Sequence, residues 1–322
     1  MVRARFMAVL VLLVPVAPAL ALSPGLQEVQ RLISDLKPAV TLHLGKTADW
    51  VVVTADAVWS GSTSPNAVHR IDPKTNRETR QVDLPGEPCA DIAAGFGALW
   101  IPLCGDRPML AKISLKTQRL TAVFPLPTKA ESGIATGGGS VWLVIDATGS
   151  LARIDPANGR IRQTIEIAPG SYNPIYSQGI VYVTNVEGAS VTALDARNGR
   201  IRFTAPTGPN PRFLVVGAGA VWTLNQGDGS LTRTSQKQPG VSVSIPLGTP
   251  GHGGYVAFGM GRVWTTMMGF PLTAVDPGAN RVLRQWVGPG GDSLAIGHGA
   301  VWLTNYRLGT ISRIPLADAI AP

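Results

Sequence analysis

The sequence predicts an all-β fold, a seven-bladed β-propeller of four-stranded blades, from three observations. An aromatic phrase recurs seven times at a period of about forty residues, the length of one propeller blade. Glycine and proline, 37 and 26 of 322 residues, require the frequent tight turns that separate short strands. The last repeat lacks its outer strand, and a segment with the pattern of that strand stands alone near the N-terminus.

The phrase reads Ala57-Val58-Trp59, Gly97-Ala98-Leu99-Trp100, Gly139-Ser140-Val141-Trp142, Gly179-Ile180-Val181-Tyr182, Gly219-Ala220-Val221-Trp222, Gly261-Arg262-Val263-Trp264 and Gly299-Ala300-Val301-Trp302. Its aromatic positions are spaced by 41, 42, 40, 40, 42 and 38 residues. Within each unit a short apolar run and a glycine turn precede the phrase, giving strands A and B. A polar loop, a second apolar run, a tight turn and an alternating run follow, giving strands C and D. The tight turns, such as Asp72-Pro73-Lys74-Thr75-Asn76 and Asp155-Pro156-Ala157-Asn158-Gly159, carry Asp to accept local backbone hydrogen bonds, Pro to preset φ, and Asn or Gly to tolerate positive φ. An aromatic residue at one fixed blade position is read as packing between neighbouring sheets.

Outer D strands are predicted at residues 80–84, 120–126, 161–167, 201–205, 241–247 and 282–287. The seventh is supplied by Val40 to Leu44, pairing with Ile311 to Ile314, so that an N-terminal strand completes the last blade and closes the ring. Pairing the two free edges removes a site for unwanted strand addition. Ahead of this strand, Leu26, Val29, Leu32, Ile33 and Leu36 share one helical face and Pro38 follows, which predicts a short N-terminal helix over Ser23 to Lys37.

Residues 1–21 carry Arg3 and Arg5, an apolar run from Phe6 to Val14 and then Ala19-Leu20-Ala21, the order of regions in a cleaved secretory signal. The chain therefore divides into a signal peptide (1–21), a helical lead-in (22–38) and one propeller (39–322), with a periplasmic or secreted location, no membrane span after cleavage, and a monomer expected. The formal charge of +8 comes from singly scattered basic residues, not the clustered stripe of a nucleic-acid binder. Attraction to anionic surfaces is the most that this charge supports.

Tyr182-Val183-Thr184-Asn185 and Trp302-Leu303-Thr304-Asn305, with the Asp-Pro-x-x-Gly/Asn turns, resemble the YVTN-repeat and virginiamycin B lyase-like superfamily of seven-bladed propellers across residues 40–316. The resemblance implies the fold. Members of that superfamily include a lyase that opens a cyclic depsipeptide and is associated with a His and Glu pair and magnesium. His252 matches one such histidine, whereas Gly288-Pro289-Gly290-Gly291-Asp292 in the next blade supplies neither His nor Glu.

Cys89 and Cys104 are the two cysteines. A hairpin centred between residues 96 and 97 sets them opposite one another, which in an exported chain predicts a disulfide.

Propeller loops between strands D and A, and between B and C, surround the central channel at one end and can vary without breaking a blade, so ligand-binding residues are sought there. Ten residues before the aromatic anchor stand Asp49 in blade 1 and Asp292 in blade 7, with Asp91 of blade 2 one step deeper. Three carboxylates on one arc suit magnesium or calcium, or a cationic group, and otherwise accept hydrogen bonds from loop amides. Arg212 occupies the equivalent position across the channel, near Tyr172, Asn173 and His252, which suits a polar ligand with charges of both signs. His252, among glycines and able to titrate near neutrality, is the candidate general base. His43, His69 and His298 fall in strands or on the opposite face and read as structural.

No Gly-x-Ser-x-Gly elbow, His-Glu-x-x-His helix or phosphate-binding glycine loop is present. The expected function is binding of a small polar molecule or a protein partner in the central funnel without catalysis. The alternative is a metal-assisted lyase or hydrolase acting through His252.

Overall fold

In the computed structural model, which describes residues 26–127, 132–248 and 251–320, seven antiparallel sheets follow one another along the chain and stand as blades around a common axis. Blade 1 runs through strands A to D at Thr47–Val53, Val58–Thr63, Ala67–Asp72 and Arg77–Asp83. Blades 3, 4 and 5 repeat this order. In blade 2, strand A is broken into Glu87–Pro88 and Ala93–Gly95. The segment expected to be a signal peptide, residues 1–21, lies outside the described residues.

Blade 7 draws its outer strand from the other end of the chain. Val40–His43 pairs antiparallel with Thr310–Pro315, with Val40 opposite Arg313 and His43 opposite Thr310. Blade 1 packs against this seam: the Val51 amide donates to Ser293 Oγ at 3.2 Å, and His298 Nε2 lies 3.0 Å from the Thr54 carbonyl oxygen. His69, buried in blade 1, lies 2.8 Å from both Ser62 Oγ and Glu78 Oε1, joining strands B, C and D.

The aromatic phrase has a hydrogen-bonding reason as well as a packing one. Indole N–H groups of Trp100, Trp142, Trp222, Trp264 and Trp302 donate to the carbonyl five residues earlier, at 3.0 to 3.3 Å, so each buried ring also ties strand B to the end of strand A. A cation from strand C lies over the ring in five blades: Arg70, Lys112, Arg153, Arg233 and Arg313, at 4.9 to 5.9 Å from the centroid. Part of the basic composition thus serves the blade framework. Strand A ends in glycine in five blades, at Gly95, Gly137, Gly217, Gly259 and Gly297, where the next blade packs close. At Gly217 a Cβ would come within 2.1 Å of the Phe258 ring in the next blade.

The helix expected over Ser23 to Lys37 is corrected. Gln30–Leu32 is a β-strand and Ile33–Asp35 a single 3-10 turn. The strand adds in parallel to the outer edge of blade 6, Gln30 opposite Gln285 and Leu32 opposite Val287. Gln30 Nε2 donates to Gln285 Oε1 at 2.6 Å, and the Gln285 amide to the Val29 carbonyl at 3.0 Å. An open sheet edge offering backbone partners outcompetes a weak local helical preference.

Candidate functional site

Every strand A lies innermost, and irregularities in these strands shape the channel. In blade 1 the pairing slips between Asp49, opposite Gly61, and Val51, opposite Ser60, leaving Trp50 as an extra residue at φ 54°. Blade 5 slips between Pro211 and Phe213, around Arg212, and blade 4 between Ser171 and Pro174, around Tyr172 and Asn173. Such bulges turn a side chain out of the alternating pattern. In blade 2 the break in strand A carries Cys89 to Ile92. Pro88 pairs with Leu103, so Cys89 stands two positions from the expected register, and it still reaches Cys104 in a disulfide with Cα atoms 5.7 Å apart.

The resulting funnel, a cavity of about 700 Å³, opens at the end bearing the D-to-A and B-to-C loops. Its lining includes Asp49, Trp50, Glu87, Arg212, His252 and Asp292. The carboxyls of Asp49 and Asp292 are hydrogen-bonded to each other, while backbone amides hold the pair in place: Trp50 N–H donates to Asp49 at 2.7 Å and Gly254 N–H to Asp292 at 3.1 Å. Enclosure within the ring, then the charge of Asp292, pushes the Asp49 carboxyl well above the usual carboxylate range. Two carboxyls hydrogen-bonded to each other favour a shared proton over two negative charges.

Arg212 forms the opposing wall. Its guanidinium lies 4.8 Å from the Tyr172 ring centroid and donates to the Tyr172 hydroxyl at 3.0 Å. Stacking and hydrogen bonding fix a long side chain in one rotamer, so less freedom is lost when an anion binds it.

Three aromatic rings close the channel beneath. Trp50, Phe213 and Tyr255 come from blades 1, 5 and 6, and their centroids lie 5.4 to 6.4 Å apart. The Tyr255 hydroxyl donates to Asp91 of blade 2. A second chamber of about 210 Å³ is lined by Asp91, Asn173, Tyr255 and Phe213. Burial raises the Asp91 carboxyl to about 7, against the lowering effect of its Tyr255 and Ile92 donors.

The structure therefore gathers Asp49, Arg212, His252 and Asp292 in one funnel, sets Tyr172 behind Arg212, and places Asp91 and Asn173 in the second chamber. The three aspartates expected on one arc are divided between the funnel, which holds Asp49 and Asp292, and the second chamber, which holds Asp91. Asp49 and Asp292 engage one another, Asp91 is held by Tyr255, and among the described residues no group of three or more His, Cys, Asp or Glu is placed to hold a metal ion. Asn185 and Asn305, of the Thr-Asn phrases, close their own loops: Asn185 accepts from Gly188 N–H at 2.6 Å and Asn305 from Leu308 N–H at 3.3 Å. Sequence reading missed the ring plug of Trp50, Phe213 and Tyr255. The available signal was three aromatics beside the D-to-A positions, outside the repeated phrase.

Fold and funnel together define a seven-bladed propeller whose axial channel is stoppered by side chains. The chain matches no family model and no curated protein. Among solved structures it is similar to a streptogramin B lyase, with a TM-score of 0.71 and 16% identity over 85% of this chain and 96% of that one. It is also similar to BamB from Moraxella catarrhalis, with a TM-score of 0.63 and 11% identity over 87% of this chain and all of that one. At these identities the likeness is one of fold, and it agrees with the resemblance read from the Thr-Asn phrases.

Proposed function

We propose that the chain is an exported propeller that binds a small polar ligand bearing both an anionic and a hydrogen-bond-donating or cationic group. The carrying observation is the opposition, within one cavity of about 700 Å³, of Arg212 on one wall and the Asp49–Asp292 carboxyl pair on another. The Trp50 and Phe213 rings supply an apolar floor for the body of the ligand. A concavity of this size favours a small molecule over a protein partner. Export is supported by the residue order of 1–21 and by the Cys89–Cys104 disulfide, a bond characteristic of oxidising compartments.

The test is a thermal-shift screen of metabolite-sized zwitterions, cations and anions against the wild-type protein and Arg212→Ala. Stabilisation by zwitterions that disappears in the variant supports the reading. Equal responses from both proteins refute it. A catalytic reading has one supporting observation, that His252 lines the same funnel as the carboxyl pair. Incubation with a cyclic depsipeptide and magnesium tests it: ring opening abolished by His252→Ala favours a lyase, and an intact ring leaves binding alone.

A further inference from the structure

Antiparallel blades alternate their connections, so all A-to-B and C-to-D turns emerge at the end of the ring opposite the funnel. Two properties concentrate there. Exposed arginines immediately follow the C-to-D turn in five blades, Arg77, Arg119, Arg160, Arg200 and Arg281, on different sides of the ring. Five of the eight exposed large apolar side chains among the described residues also lie at this end. Phe96 and Met260 cap A-to-B turns of blades 2 and 6. Ile161, Ile201 and Val241 stand at equivalent positions beginning the outer strand region of three successive blades, and all five are 38% to 68% exposed.

The aspartates of the C-to-D turns at this end are committed to local structure. Asp72, Asp155, Asp195 and Asp276 accept backbone N–H groups of their own turns at 2.7 to 2.9 Å. Asp155 and Asp195 also pair with Arg162 and Arg202. At the funnel end, by contrast, exposed acidic residues such as Glu87, Asp106 and Glu187 are prominent. The molecule is thus polarised along its axis.

We infer that the turn face opposite the funnel docks on a membrane surface of anionic phospholipid. Charge complementarity selects the occupant: dispersed arginines suit a plane of phosphate headgroups, and the isolated apolar tips between them can enter the headgroup boundary. Soluble acidic proteins would satisfy the arginines but give no role to five dispersed apolar tips. Docking in this sense directs the funnel away from the membrane and leaves it open to solution. The inference is independent of what the funnel binds.

Co-sedimentation of the mature chain with vesicles of phosphatidylglycerol and phosphatidylcholine, against vesicles of phosphatidylcholine alone, tests it. The expected result is binding to the anionic vesicles alone, weakening with salt. Arg160→Glu/Arg200→Glu is expected to reduce binding by about tenfold or more, and Lys46→Glu/Arg307→Glu, the same charge change at the funnel end, to have much less effect. Phe96→Ser/Met260→Ser retains all charges and is expected to weaken binding by about tenfold. Equal binding to both vesicle types, or equal losses from the two charge reversals, would overturn the inference. So would capture by soluble heparin without vesicle binding, which would point to a soluble polyanion instead.

Discussion

The Tyr255 hydroxyl, on blade 6, donates a hydrogen bond to the Asp91 carboxylate on blade 2, joining two blades that are not neighbours in the ring. This bond, with the Trp50 and Phe213 rings packed beside it, makes the centre of the propeller a filled core. Tyr255→Phe keeps the ring and removes the donor, leaving a buried carboxyl short of a partner. A loss of about 1–3 kcal/mol in unfolding free energy is expected, measured by denaturant titration.

The same pair predicts a pH dependence. Burial raises Asp91 to about 7 in the folded chain, above the ordinary carboxylate value near 4 that applies when unfolded. The folded state therefore holds this proton to higher pH. Its contribution is complete below pH about 4 and is lost as pH rises toward 7, with about 4 kcal/mol as an upper limit. Thermal midpoints measured from pH 4 to 8 should fall through this window in the wild type and fall less in Asp91→Asn.

Cys89 and Cys104 are separated by 15 residues, for which a cross-link contributes about 3 kcal/mol. Denatured, unreduced protein should show no reactive thiols, and Cys89→Ser/Cys104→Ser should lower unfolding free energy by roughly 2–4 kcal/mol. Because this bond sits at the funnel rim, the double variant is also expected to weaken ligand binding there.

Gly217 tests the blade-to-blade packing. In Gly217→Ala the new methyl would strike Phe258 of the next blade, so a cost of about 1–3 kcal/mol is expected in chemical denaturation. An unchanged midpoint would show that the neighbouring blades have room to separate.

Repetition made the fold readable. Seven copies of one phrase set blade number and strand register, and the unmatched Val40 segment indicated its pairing with the last blade. Counting back from the aromatic anchors also brought Asp49, Arg212 and Asp292 to one funnel. That count failed where the backbone departs from regular pairing. The bulge at Trp50 and the break before Ala93 are events of strand geometry with no fixed residue signature, so the ring plug and the displacement of Asp91 into the second chamber were not readable. The N-terminal segment was misread for a different reason. Its apolar spacing fits a helix, while the edge of blade 6 that captures it as a strand lies some 250 residues away.

Binding between opposed charges in the funnel is measured most directly by calorimetric titration of the best zwitterion from the screen into wild-type protein, Arg212→Ala and Asp49→Asn/Asp292→Asn. Both variants should lose at least about tenfold in affinity, the worth of one charge-assisted hydrogen bond. Affinities unchanged in both would contradict a ligand held by Arg212 and the carboxyl pair.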